Sequence, residues 1–240
     1  MPPSILVAEG HSNVLDGSFE ASSEETSDAT ATAVPTGPVG GLRKLLMDRC
    51  GAAVLLLLLA PLFLLVTLLI RRDGGSALFR HQRLGANGRM FPCMKFRTMV
   101  SQADKVLEHL LATDPVAAME WHATQKLRRD PRITGVGRFL RISSLDELPQ
   151  LINVLNGDMS LVGPRPIVQA EIARYGSNIR HYYRARPGLT GLWQVSGRSD
   201  TSYAQRVELD VRYVTSWTFW QDVVIAFKTI PAVLLRKGAI

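Results

Sequence analysis

The first 40 residues contain no lysine and no arginine, but six acids: Glu9, Asp16, Glu20, Glu24, Glu25 and Asp28. Rich in Ser, Thr, Ala and Gly, such a stretch cannot bury enough apolar surface to offset its ordering entropy. Residues 1–40 therefore read as a disordered acidic tail. They lack a basic start followed by an apolar run, so they do not read as a signal peptide. Cysteine is scarce as well. Cys50 and Cys93 form no CxxC and no metal-ligand spacing; a disulfide framework is excluded and a reducing cytoplasm fits. Aromatics make up 7% of the chain, with no zinc-finger or RNP-type pattern, which argues against nucleic acid as a partner. No internal repeat is present. Finally, no charged residue occurs from position 50 to position 70.

Charge is abundant elsewhere. The chain carries +7 overall, so the residues after the acidic tail carry +13. A body this basic seeks anionic partners, here anionic membrane lipid and phosphorylated substrates. Its 240 residues and 46% hydrophobic content suffice for one domain with a real core.

The uncharged stretch is a membrane segment. About 20 apolar residues at ~1.5 Å rise just cross a hydrocarbon core of ~30 Å. Pro61 lies mid-run and removes a backbone hydrogen bond. Arg43, Lys44 and Arg49 precede the run, and Arg71 and Arg72 follow it. Basic residues on both flanks favour keeping both ends on the cytoplasmic side. A helix that enters one leaflet, bends at Ala60-Pro61 and returns satisfies these facts; a kinked spanning helix is the alternative.

Beyond it, residues 77–99 read as a β-hairpin around Asn87-Gly88, with Pro92 marking an edge strand. Apolar spacing predicts one helix over residues 101–128, stopped by Asp130-Pro131. Residues 144–154 open another helix, where Ser144 and Glu147 match a capping box, unless Pro149 delays its start. Residues 161–166 and 187–197 read as Pro-Gly loops, and 167–184 and 200–216 as helices. The last helix, 217–235, carries Trp217 and Trp220 beside an aliphatic stripe, which suits a membrane interface.

The adjacent carboxylates Asp146 and Glu147 lie near a helix start. A carboxylate pair there can be no more than favourable capping charge. In a basic body, with Arg141 close behind, it is also what a magnesium-dependent phosphoryl site needs: carboxylates bind Mg²⁺ together with substrate phosphates, and a carboxylate can act as a nucleophile. Lys95 and Arg97, after the hairpin, are either a solvated basic edge or contacts to phosphate. Arg165, Gln194 and Arg198 sit in the two Pro-Gly loops and offer the groups that hold a diphosphate and a base edge. Asp158 is a turn residue or a supporting acid.

Five motifs occur in order: Lys95-Phe96-Arg97-Thr98-Met99, Asp130-Pro131-Arg132-Ile133-Thr134, Ser144-Leu145-Asp146-Glu147-Leu148-Pro149-Gln150-Leu151, Gly157-Asp158-Met159-Ser160-Leu161-Val162-Gly163-Pro164-Arg165-Pro166, and Arg186-Pro187-Gly188-Leu189-Thr190-Gly191-Leu192-Trp193-Gln194-Val195-Ser196-Gly197-Arg198. Together they resemble the bacterial sugar transferase family, the monotopic phosphoglycosyl transferases, over roughly residues 42–240. The chain is similar to the small exopolysaccharide members that move galactose-1-phosphate to undecaprenyl phosphate. The resemblance implies an α+β fold, mainly helical and membrane-associated, with a re-entrant helix over 41–72, amphipathic interfacial helices, a small β-hairpin and a catalytic part over 73–240 on the cytoplasmic face of the bacterial inner membrane. It implies UDP-sugar and undecaprenyl phosphate as substrates, UMP as product and Mg²⁺ as cofactor. Asp146 would be the nucleophile and metal contact, forming a covalent phosphosugar intermediate, and Glu147 would assist as a base. The family's Ser-Pro helix break falls on Ala60-Pro61, where the hydroxyl is missing. The resemblance leaves glucose or an N-acetylated hexosamine open as the sugar. The rival of another class is a non-catalytic membrane adaptor. Oligomeric state is not legible.

Overall fold

The computed structural model describes residues 38–197 and 201–234. The tail reading of residues 1–37 and the candidate Arg198 fall outside the described residues. The apolar segment forms helix α1, Gly41–Arg71, helical on both sides of Pro61. It is long and apolar enough to cross a membrane, by length and composition. Its leucines face outward: Leu57 is 77% exposed and Leu58, Leu64, Leu65 and Leu68 are also bare. An apolar face of this size marks a surface that contacts a membrane or another protein.

Both ends of α1 are tied to the rest of the protein. At the start, the Lys44 ammonium lies 2.6 Å from Asp222 and 3.6 Å from Asp48, all buried. Asp48 accepts from the Ser160 hydroxyl at 2.7 Å and the Leu161 N–H at 3.2 Å. Tyr213 and the Trp217 indole donate to Asp222 at 2.7 and 3.0 Å. At the other end, Arg97 donates to the Ile70 carbonyl at 3.0 Å and pairs with Asp73. Gly75 makes room for that guanidinium, since a Cβ there would overlap it.

Strands β1 (Leu78–Leu84) and β2 (Met90–Phe96) form the expected antiparallel hairpin, with Leu78 opposite Phe96 and Leu84 opposite Met90. Asn87 and Gly88 supply the positive φ values of the turn, 55° and 73°. The outer edge of β2 is closed by one side chain. Fully buried Asn153 accepts from the Met94 N–H and donates to the Pro92 carbonyl, both at 2.9 Å, as a neighbouring strand would.

The single helix expected over 101–128 is two: α2, Ala103–Thr113, and α3, Pro115–Thr124. Pro115 cannot continue the α2 ladder, and Asp114 caps α3 by accepting from the Val116 and Ala117 N–H groups. Helix α4, Gly135–Ile142, starts at the Thr134 cap and was not anticipated. The Ser144 capping box does not form. Ser144 adopts φ 56° without a side-chain cap; Leu145–Glu147 make one 3₁₀ turn, and helix α5 starts after Pro149, at Gln150–Asn156.

The two Pro-Gly segments are not only loops. β3 (Ser160–Val162) and β4 (Gly188–Thr190) pair in parallel. The helix expected over 167–184 is broken at Gly176 into α6, Ile172–Tyr175, and α7, Ile179–Tyr183. Short α8, Leu192–Val195, precedes α9, Tyr203–Thr215, which the Ser202–Gln205 capping box opens, and α10, Phe219–Leu234. Trp217 does not join the exposed stripe: it packs inward against Val39, Val162 and Tyr213. Trp220, Val224 and Phe227 of α10 do face outward. The mainly helical α+β expectation holds, with a second exposed apolar stripe besides that of α1.

Candidate active site

Asp146 and Glu147 stand on the 3₁₀ turn between α4 and α5. The turn is anchored from below. Leu145 and Leu148 pack against Val66 and Ile70 of α1 and Phe96 of β2, so the carboxylates between them point away from this cluster. The hairpin register then delivers Lys95. Its ammonium lies 2.6 Å from Glu147 Oε1 and 3.7 Å from Asp146 Oδ2. Asp146 is the more enclosed acid, its side chain 13% exposed against 41% for Glu147. Burial raises the Asp146 pKa and the Glu147 charge adds to this, while Lys95 and Arg141 hold it down; the net is upward. Burial works against charge on Lys95 too, but the two carboxylates, Glu147 foremost, more than offset it and raise its pKa. The trio thus shares one excess negative charge.

Arg141, on α4, donates to the Thr98 hydroxyl at 2.9 Å and is close enough to pull Asp146 down. Arg165 reaches the site from the loop after β3. That loop and the one around β4 interlock main chain to main chain: the Gly163 N–H donates to Thr190 at 2.9 Å and the Gly188 N–H to Pro164 at 2.7 Å. A Cβ on Gly188 would lie 2.1 Å from the Gly163 nitrogen, so only glycine allows this approach. The Arg165 guanidinium lies over the Trp193 ring at 5.5 Å and feels the charge of Glu147.

Sequence reasoning missed Arg206. On α9 it lies 5.3 Å from the same Trp193 ring, 4.8 Å from Tyr203 and 3.8 Å from Glu171. It is buried, and its Nε and Nη2, like the Trp193 indole nitrogen, have no hydrogen-bond partner among the described residues. Its place next to the Tyr203–Val207 stripe was the available signal. Gln194 lies on α8, one residue from Trp193.

The structure therefore brings Lys95, Asp146, Glu147 and Arg141 together, with Arg165 within electrostatic reach of Glu147. It takes Arg97 elsewhere, to the end of α1. Asp158 serves the turn after α5, where its N–H donates to the Asn153 carbonyl at 3.0 Å. Among the described residues no group of three or more His, Cys, Asp or Glu could hold a metal ion by itself.

Paired carboxylates bridged by a lysine, guanidinium groups close by and one long apolar helix are the equipment of a transferase that handles phosphates at a membrane surface. The comparisons with known proteins sharpen this. The bacterial sugar transferase family model matches residues 40–236, and the chain belongs to that family. It is 54% identical over 203 residues to the exopolysaccharide production protein ExoY of Rhizobium meliloti, covering 84% of this chain and 90% of that protein. It is 54% identical over 192 residues to the undecaprenyl-phosphate galactose phosphotransferase of Salmonella typhimurium, covering 80% of this chain but 40% of that longer protein. It is 43% identical over 218 residues to a UDP-glucose:undecaprenyl-phosphate glucose-1-phosphate transferase of Caulobacter vibrioides, covering 85% and 76%.

Proposed function

We propose that this protein transfers a hexose-1-phosphate, galactose-1-phosphate first among candidates, from a UDP-sugar to undecaprenyl phosphate and releases UMP, opening exopolysaccharide synthesis at the membrane. The observation that carries the reading is the Lys95-bridged pair Asp146 and Glu147. The relatives named for galactose and for exopolysaccharide production support the substrates, and the one named for glucose makes glucose the second reading.

In this reading Asp146 attacks the sugar-bearing phosphorus of the UDP-sugar. A carboxylate oxygen–phosphorus bond forms, the bond to UMP breaks, and UMP leaves with the electron pair. The lipid phosphate oxygen then attacks the same phosphorus and Asp146 departs as carboxylate, which leaves a polyprenyl diphosphosugar. Glu147 takes any proton the lipid phosphate carries. Lys95, Arg141, Arg165 and Arg206 offset charge on the diphosphate, and Trp193 and Gln194 offer a ring face and an amide to the nucleotide. Mg²⁺ fits this donor set, because it binds through one or two carboxylates and completes its shell with substrate phosphates and water. Asp146 would hold it, and when bound it neutralises phosphate charge.

The ties on α1 support a membrane placement. Lys44 at one end and Ile70 at the other both bond to the same folded body. A straight span would separate those ends by ~30 Å of hydrocarbon. A re-entrant α1, with both ends and the site on the cytoplasmic face of the inner membrane, keeps both ties. Leu42→Cys and Arg72→Cys, with exposed Cys50 replaced by Ser, should both resist an impermeant thiol reagent in intact cells; labelling of either alone would establish a span.

The deciding experiment uses purified protein in nanodiscs with UDP-galactose or UDP-glucose, Mg²⁺ and undecaprenyl phosphate. UMP and a lipid diphosphosugar should appear. With UDP-sugar alone, a phosphosugar mass should map to Asp146 and be absent from Asp146→Asn. An adduct on another residue, or near-normal turnover in the variant, refutes the assignment.

A further inference from the structure

The chain after β2 and the Asp130–Thr134 segment lie side by side. Met99 and Ile133 form an antiparallel bridge, and the Val100 N–H donates to the Arg132 carbonyl at 2.9 Å. Arg132 donates to both oxygens of Asp130, at 2.8 and 2.7 Å, and its guanidinium lies over the Trp121 ring at 4.9 Å. Thr134 then caps α4. Thr98 meets that helix twice. Its carbonyl accepts from the Thr134 N–H at 3.1 Å, and a Cβ on Gly137 would lie 1.9 Å from the same oxygen, so the first turn of α4 rests on the Thr98 main chain. One turn on, along the same face, Arg141 Nε donates to the Thr98 hydroxyl at 2.9 Å. Thr98 is buried and Arg141 is exposed. The main chain of Thr98 thus serves the fold, and its hydroxyl is given to one arginine.

We propose that Thr98 is a positioning residue for the transfer chemistry: by holding Nε of Arg141 it turns the Nη1–Nη2 fork of that guanidinium toward Asp146 and the phosphate that Asp146 attacks. The assignment rests on the transferase reading above and deepens it. Three observations carry it. An exposed arginine samples many rotamers, and a buried hydroxyl that takes its Nε limits that freedom. A guanidinium offers a bidentate partner either its Nε edge or its Nη edge; with the first engaged by Thr98, the second is left for an acid or a phosphate. The other carboxylate within electrostatic reach of Arg141, Asp130, already has both oxygens on Arg132, so it does not compete. Lys95 and Thr98 stand three residues apart on one stretch of chain. That stretch therefore sets both cations that act on Asp146, Lys95 by its own ammonium and Arg141 at second hand.

Formation of the phosphosugar adduct and UMP from UDP-sugar alone isolates the step. Thr98→Val keeps the branched shape and the main-chain bonds but not the hydroxyl. It should slow that step about ten-fold. Thr98→Ser, which keeps the hydroxyl, should recover most of the rate. Arg141→Gln should lose at least as much as the Val variant, and adding Thr98→Val to it should cost nothing further, because the hydroxyl acts only through the arginine. The pH profile is a second readout. Lys95 from β2, Glu147 from the same turn and Arg141 from α4 are the charges that act on Asp146, so loosening Arg141 should move the acid limb of the Val variant to higher pH. A Val variant at the wild-type rate, a Ser variant as slow as Val, losses that multiply in the double variant, or an unmoved acid limb would each overturn the proposal. The contact itself can be read without turnover, by nuclear magnetic resonance of isotope-labelled protein in nanodiscs. The Arg141 Nε–H, identified by its absence from Arg141→Gln, should exchange slowly with water in wild type and fast in Thr98→Val; equal exchange in the two would remove the contact and the proposal with it. A protected Nε–H in a wild-type protein that forms no adduct would sink the transferase reading and leave the Thr98–Arg141 contact standing.

Discussion

Replacing Lys95 by Met tests the electrostatics of the site directly. Met keeps most of the stem and removes the charge that lies 3.7 Å from Asp146 and 2.6 Å from Glu147. Two unit charges ~4 Å apart interact by about 4 kcal/mol at an effective dielectric of ~20. The Lys95 side chain is 31% exposed, so water screens part of it and the effect falls short of that ceiling. The direction is upward. Asp146 already titrates above an ordinary carboxyl because of burial, and losing Lys95 removes the main opposing charge. In the proposed mechanism Asp146 attacks as a carboxylate, so the acid limb of the rate profile should move to higher pH. The assay is UMP release from UDP-sugar across pH 5–9 at saturating donor, alongside Lys95→Arg, which keeps the charge and should leave the limb nearly in place. At high pH the Met variant should regain much of its rate. A loss equal at every pH would mean that Lys95 acts only by holding a phosphate, and the electrostatic account of Asp146 would be wrong.

Three further outcomes are expected. Asn153→Ala should cost about 2–4 kcal/mol of stability, since it strands the Met94 N–H and the Pro92 carbonyl; a thermal midpoint within a degree of wild type in the same detergent would contradict that. Gly188→Ala places a Cβ against main chain on both sides, 2.1 Å from Gly163 and 2.2 Å from Thr190; it should reduce kcat/KM for UDP-sugar at least ten-fold through Arg165, and unchanged kinetics would uncouple that loop from the site. Burial pushes the Asp210 carboxyl up to about 7, from an ordinary 3.8. The folded state then keeps a proton that the unfolded chain has lost, so the Asp210 contribution to stability should fall as pH rises from about 4 to 7 by roughly 4 kcal/mol at most, then level off; in Asp210→Asn the slope should shrink, and an unchanged slope would contradict the sign argued here.

Local pattern sufficed for the hairpin, since Asn87-Gly88 and alternation fix turn and register together. It sufficed for α1 and α9 as well. It failed where a local cue had two solutions. Ser144 and Glu147 have capping-box spacing, yet Glu147 spends its carboxylate on Lys95, 52 positions away, and Ser144 turns left-handed. Asp114-Pro115 was equally visible, and the apolar spacing on both sides hid a break that proline makes obligatory. For the site, residue types pointed to phosphate chemistry, but not to which cation serves it. Lys95 and Arg97 lie two apart and look equivalent. β2 ends at Phe96, however, and beyond it the chain carries Arg97 to the Ile70 carbonyl. Arg206 escaped because its partners, Trp193 and Glu171, come from separate segments.

The way α1 is held bears on function as directly as the carboxylates do. Burying Lys44, Asp48 and Asp222 together costs desolvation that an apolar contact would avoid. What such a network gives in return is position. Sliding α1 by a turn would take Lys44 from Asp222 and Asp48 from the Ser160 hydroxyl and the Leu161 N–H of β3, the strand that leads into the Arg165 loop. At the far end Arg97 grips Ile70, two residues beyond Lys95, the cation that bridges the carboxylates. The same helix that sits in lipid is thereby registered at one end to the guanidinium loop and at the other to the carboxylates. A reaction between a soluble nucleotide and a lipid phosphate requires its two sets of binding groups at one fixed height above the hydrocarbon. A helix tied to both sets supplies that height without a second membrane segment.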